Sequence, residues 1–359
     1  MEAFETFFNS LASPSLVIII TTGVFLLYLA RMRTMMQPKV SFAIMGLTGV
    51  FLVIGSQNHD FFKIITKGDN MPIVIMIFAI LFFLWLAFRQ ATLNDMRIEK
   101  GEPPNEALES NKKVLVWPDL VYPEFVMTVA LAAVFIIWGV MVEAPLEEAA
   151  SGTRAPNPAK APWYFLGLQE MLVYFDPWLA GVVLPGMIVV GLMAIPYIDT
   201  NPKGNGYYTF KERPFAIGMF MFGFLILWVV LVIMGTFLRG PNWNFFGPFE
   251  YWDPHKVEAL VNVNLSDFFW VKMLSTGLPE NPLVREAPGI IAVILYMVVT
   301  PAILARTVMK KFFHELGFAR FSVLVMLLLM MASLPIKMFL RWTINLKYLV
   351  SIPEWFFNI

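Results

Sequence analysis

Along the whole chain, apolar runs long enough to cross a bilayer, about 20 residues each, alternate with short polar or charged segments. Charge-free runs occupy 11–30, 40–58, 70–88, 125–142, 177–198, 214–238 and 287–305. A shorter one, 321–336, is flanked by Arg320 and Lys337, whose long stems can snorkel to the interface. Inside hydrocarbon a backbone must satisfy its own hydrogen bonds, and a single segment does so only as a helix. The pattern therefore predicts an all-α integral membrane protein of about eight transmembrane helices.

Composition agrees. Of 359 residues, 58% are hydrophobic and only 14% charged, with a mean hydropathy of +0.68. A soluble chain of this length carries far more charge, and no polar segment is long enough for a separate soluble domain. The N-terminus has neither a basic n-region nor a small-residue cleavage site, so it reads as a first span. The expected organisation is a three-helix unit over 1–90, a charged linker over 91–121, a second three-helix unit over 122–240, an aromatic-rich loop over 241–286 and a two-helix unit over 287–359. Lys and Arg set the sidedness. Segments 31–39, 89–121, 199–213 and 306–320 hold 15 of the 26 basic residues, and the opposite set holds 11 in longer segments. The first set is expected to face the cytoplasm, with both termini on the outer, positive side.

Several function classes fall away. With no cysteine, the chain has no thiolate metal ligand, no iron–sulfur ligand and no covalent c-type haem attachment. Its net charge of zero gives no nucleic-acid footprint. His59, His255 and His314 lie at span edges or in loops, and no span holds a pair. Ligation of a transmembrane b-haem by this chain alone is therefore not expected. No charge lies in the middle of a run, which argues against a self-contained ion-coupled transporter.

The segment 143–176 is the most informative. It is stiffened by Pro145, Pro156, Pro158 and Pro162. It carries the aromatic run Trp163, Tyr164, Phe165 and the acids Glu143, Glu147, Glu148, Glu170 and Asp176. An apolar aromatic slot with a carboxylate beside water is what a quinol oxidation site needs. An aromatic membrane belt with a turn-rich loop has the same composition.

Residues 118–240 resemble subunit IV of the cytochrome b6f complex and the matching C-terminal half of cytochrome b. Val142-Glu143-Ala144-Pro145 is similar to the family's Glu-Pro-like turn, and Asn157-Pro158 to its Asn-Pro segment. Trp163-Tyr164-Phe165 matches the end of the PEWYF motif, and Glu212-Arg213-Pro214 its Arg-Arg-Pro-like helix start. The stretch PNPAKAPWYFLGLQE most resembles bacterial menaquinol–cytochrome c reductases in which this part of cytochrome b is a separate chain. The PEWY glutamate has no counterpart, since Pro162 precedes Trp163.

The resemblance implies a haem-free subunit of a quinol–cytochrome c oxidoreductase in the bacterial inner membrane, not catalytic alone. Its quinone would be menaquinone. Its partners would be a haem-bearing cytochrome b6-like subunit, a Rieske-type iron–sulfur protein, a c-type cytochrome and membrane lipid. Pro162, Trp163, Tyr164 and Phe165 would bind quinol. Glu170 and Glu143 are the candidate proton acceptors, in that order, and Lys160 is set aside as a cation. No metal site is expected. A structural subunit of another quinone-linked complex and a small-molecule transporter are the alternatives. Pro353-Glu354-Trp355-Phe356 echoes PEWY but is read as an interfacial anchor. The sidedness is testable in this cysteine-free chain: Ser110→Cys should react with an impermeant thiol reagent only from the cytoplasmic face, and labelling only from outside would invert the topology.

Overall fold

The computed structural model describes every residue except 110–112, 144–145, 147–148 and 202–207. Ser110, Glu147, Glu148 and the Ala144-Pro145 half of the family-like turn thus lie outside the described residues.

Seven helices are long and apolar enough to cross a membrane, and an eighth span arises if a bent pair is counted as one. That pair is span one, Pro14–Ala30, and the short helix Glu2–Leu11 before it, which meet at 88°. Seventeen helical residues reach about 26 Å, close to the hydrocarbon thickness. The others are span two (Pro38–Gly55), span three (Met71–Glu99), span four (Val116–Met141), span five (Leu179–Ile198), span six (Pro214–Leu238), span seven (Ala287–Arg306) and span eight (Lys310–Ile344). Spans one, two, three, six and seven open with proline in the first two positions. There its fixed φ favours the helix and its missing N–H costs nothing.

The apolar runs locate every span but understate three: span four already begins at Val116, ahead of Asp119 and Glu124. Span three continues through Arg89 and Asp95 to Glu99, and span eight runs through Arg320 and Lys337. A charge ends an apolar run without ending a helix. Gly317, at φ 73°, breaks span eight near its start. Lys337 is buried, and its Nζ donates to the Lys347 carbonyl beyond the helix end at 2.6 Å. The run 321–336 is itself free of charge, and its flanking Arg320 and Lys337 lie within the longer helix.

Span six is the centre of the bundle. Half of its most apolar window is buried, against none of span four's. Its Leu227, Leu231 and Met234 join Phe25 of span one, Phe88 of span three, Leu184 of span five and Met338 of span eight in one core. A second cluster joins spans seven and eight through Phe321, Val325 and Leu329, and there the Tyr296 hydroxyl donates to the Leu329 carbonyl at 2.6 Å.

The span ends fall into the same two groups as the charge count. On one side Asp95 accepts from the backbone N–H groups of Phe210 and Lys211, Arg213 pairs with Asp199 at 2.6 Å, and Glu99 pairs with both Arg33 and Lys211. On the other, Asn58 bonds Glu5, and Asn9 accepts from the Phe249 N–H at 3.0 Å. There Phe249 packs among Phe4, Phe8, Phe51 and Phe61. The N-terminal helix thereby fastens span two to the aromatic loop. The C-terminal hairpin, Ser351–Ile352 against Phe357–Asn358, closes the same side. Its turn holds the PEWY echo: Arg285 pairs with Glu354, while Trp355 and Phe356 face outward.

Candidate functional site

Trp163–Phe165 form one tight turn that leads into a short helix, Leu166–Met171. Glycines bring this helix against span six. A Cβ added at Gly235 would stand 3.1 Å from the Leu166 carbonyl oxygen, and one at Gly167 would stand 3.5 Å from the Trp228 carbonyl oxygen. The approach at Gly235 is thus tighter than a side chain normally allows, while a Cβ at Gly167 would make an ordinary contact.

Neighbouring rings of the three touch at steep angles, 84° and 57°. Trp163 and Tyr164 meet edge-on at 5.7 Å, and Tyr164 and Phe165 at 4.7 Å. Tyr164 is 46% exposed and Phe165 48%. Pro162 is exposed and starts the turn, while Trp163 is partly buried. Their stretch is pinned by Gln169, which accepts from the Ala161 N–H and donates to the Ala159 carbonyl, both at 2.8 Å. The result is an open apolar face rather than a closed pocket. A cavity of about 350 Å³ does exist, but on the opposite side, among Arg31, Thr92, Asp95 and Lys211.

Behind the aromatic face lies a buried ion pair. Glu170 is fully buried, and both of its oxygens are taken by Arg239: Nε donates at 2.9 Å and Nη2 at 2.6 Å. Arg239 follows the last residue of span six. It also donates Nη1 to the Trp243 carbonyl at 2.8 Å and lies 5.0 Å from the Phe245 ring centre. Glu170, the first candidate proton acceptor, lies on the short helix after the aromatic turn, and its carboxylate faces Arg239. Glu143 is exposed at the end of span four. Asp176 does not cap span five with its side chain: it accepts from the Tyr348 hydroxyl at 3.1 Å and the Asn358 amide at 3.3 Å.

Lys160 has an unexpected setting. Its Nζ donates to the Thr236 carbonyl at 2.8 Å and lies 4.6 Å from the Trp252 ring centre. Thr236 is in the last turn of span six, where carbonyls have no partner within the helix. Burial pushes the Lys160 amine down to about 7. Lys67 and Arg239 act in the same direction, and Asp69 and Glu170 oppose them. The Thr236 hydroxyl and the Trp252 indole N–H are buried without hydrogen-bond partners.

The aromatic loop is held over this arrangement by paired asparagines. Asn157 donates to the Asn242 side chain at 2.9 Å and accepts from its backbone N–H at 2.6 Å. Asn242 and Trp243 both take the left-handed conformation, at φ 58° and 56°, which asparagine tolerates. Sequence reasoning missed Arg239 as the partner of Glu170. Its only signal is its place as a lone basic residue directly after an apolar span.

Residues 149–249 match the family model described as cytochrome b(C-terminal)/b6/petD. A menaquinol:cytochrome c reductase cytochrome c subunit of Geobacillus thermodenitrificans is 26% identical over 138 residues, covering 36% of this chain and 54% of the relative. One with the same description from Bacillus subtilis (strain 168) is 24% identical over 140 residues, covering 36% and 52%. The chain thus spans about half the length of the curated relatives it matches. No solved structure matches it.

The buried pair makes a stability prediction. Removing one partner strands the other charge, at a cost of about 3–5 kcal/mol. Glu170→Gln and Arg239→Gln should each lower the melting temperature of the assembled complex, and E170Q/R239Q should lose less than their sum. Wild-type melting in either single variant would show that the pair is dispensable.

Proposed function

We propose that this chain is the subunit IV-like, haem-free membrane subunit of a menaquinol–cytochrome c reductase-type complex, and that it forms one wall of the quinol oxidation site. The observation that carries the reading is the Trp163–Phe165 turn. Its half-exposed rings stand at a span end, inside the stretch that matches the cytochrome b C-terminal family.

Each residue then has a physical role. Tyr164 and Phe165 offer flat apolar surface to a quinol ring, and the Tyr164 hydroxyl offers a hydrogen bond to the head group. Pro162 and the Gln169 contacts hold the turn rigid, so little ordering cost falls on binding. Trp163 packs behind them. Glu170 and Arg239 position the surface helix from below. Glu143, exposed at the end of span four, remains a candidate for passing protons to the outer aqueous phase.

An open face needs a second wall. No side chain of span four is buried within the chain among the described residues, which supports a partner subunit covering that span. The partners in this reading are a haem-bearing cytochrome b6-like subunit, a Rieske-type iron–sulfur protein and a c-type cytochrome. Having no cysteine, this chain leaves covalent c-type haem to another chain. Quinol would enter from the membrane, give its electrons to partner centres and release its protons on the outer side.

The reading is tested by Tyr164→Ala in the assembled complex. Quinol oxidation should fall about tenfold or more, as expected for one lost transition-state contact, with subunit content unchanged. Trp163→Ala should mainly reduce thermal stability. Wild-type turnover in Tyr164→Ala would instead make the turn a structural seal.

A further inference from the structure

The cavity of about 350 Å³ lies away from the aromatic turn, among the end of span one, the end of span three and the segment leading into span six. Its size falls within the range of small-molecule sites, about 300–1,000 Å³. Its walls are of two kinds: Leu29, Met32 and Phe210 are apolar, and Arg31, Arg33 and Lys211 are cationic. Span one ends at Ala30, so these cations stand where the hydrocarbon core gives way to the polar layer. They belong to the segments that carry most of the chain's Lys and Arg.

The carboxylate in the wall is already committed. Asp95 is buried and accepts from the backbone N–H groups of Phe210 and Lys211 at 3.1–3.3 Å. Two of the cations show what their geometry suits. Arg33 and Lys211 come from segments far apart in the chain, yet both converge on the Glu99 carboxylate. Each of the two side chains is 57% exposed. So exposed an ion pair is weak, and its cations can exchange one oxyanion for another. Arg31 is exposed and makes no ion pair among the described residues.

We propose that this cavity binds the phosphate headgroup of an anionic phospholipid. Arg31, Arg33 and Lys211 surround the phosphate, and the first carbons of the lipid lie against Leu29, Met32 and Phe210. A guanidinium offers a planar fork that matches two phosphate oxygens, and an ammonium offers a compact charge. Basic pockets between transmembrane helices suit phosphate headgroups for this reason. The apolar wall and the level of the cavity favour a lipid over free phosphate, which has no apolar part to bury. A lipid held there bridges the end of span one to the segment before span six, beside the links that Asp95 and Glu99 already make. The site stands independently of the aromatic turn and of its quinol reading.

The test is hydrogen exchange at peptide resolution on the purified assembled complex in mild detergent, with lipid occupancy followed by native mass spectrometry. Phosphatidylglycerol should bind saturably and slow exchange in peptides covering 29–36 and 208–213. Phosphatidylcholine, whose choline cancels the phosphate charge, and inorganic phosphate should leave those peptides unchanged at the same concentrations. Each cation beside an anionic lipid contributes about fivefold in affinity. Arg31→Gln should therefore raise the phosphatidylglycerol concentration for half-protection about fivefold, and R31Q/R33Q/K211Q about 100-fold. Equal protection by phosphatidylcholine would overturn the proposal, because the charge would not be read. Equal protection by inorganic phosphate would overturn the lipid in favour of a soluble anion. If the triple variant does not assemble, Arg31→Gln decides, since its exposed side chain makes no ion pair among the described residues. Unchanged phosphatidylglycerol affinity in that variant would overturn the site.

Discussion

The buried Glu170–Arg239 contact fixes the geometry of the whole loop-bearing side of the molecule. Each ion alone would cost several kcal/mol to bury, and only a bidentate partner offsets that. The two residues come from different segments: Glu170 from the surface helix behind the aromatic turn, Arg239 from the end of the central span. Pairing them fixes the height and rotation of the Trp163–Phe165 turn relative to span six. Arg239 also holds the Trp243 carbonyl, so the same guanidinium gathers the aromatic loop. The glycines at 167 and 235 complement it by allowing the helix to lie against span six.

That architecture separates two kinds of work. Apolar surface faces outward, where Tyr164 and Phe165 are half-exposed. Charge is gathered behind it, at the carbonyl end of span six, where cations are favoured by the helix dipole. Lys160 and Arg239 both sit there, yet they differ chemically. A guanidinium stays protonated in any protein environment, whereas an amine shifts readily when desolvated. Arg239 holds the carboxylate of Glu170, and Lys160 holds the Thr236 carbonyl.

The spans were legible because hydrocarbon thickness imposes a length on apolar runs, and all eight runs contain a helix. Their true ends were less legible. Arg89, Asp95, Glu124 and Arg320 interrupt hydropathy but not helical hydrogen bonding, so spans three, four and eight are longer than their runs. The motif around Trp163 was legible because its residues are contiguous. Contacts across the fold were not: nothing in the sequence joins Glu170 to Arg239, or Asp176 to Tyr348. Lys160 shows the sharper limit. Sequence gives the charge a side chain carries in water, while the depth at which it lies decides the charge it keeps.

The central claim is that the aromatic turn forms a wall of a quinol site. It is tested most directly by where a quinone itself binds. A photoreactive menaquinone analogue, irradiated in the intact complex and mapped by peptide mass spectrometry, should mark residues between 162 and 170. An excess of unmodified menaquinol should suppress that labelling. Labelling confined to other segments or other subunits, with none between 162 and 170, would contradict the account.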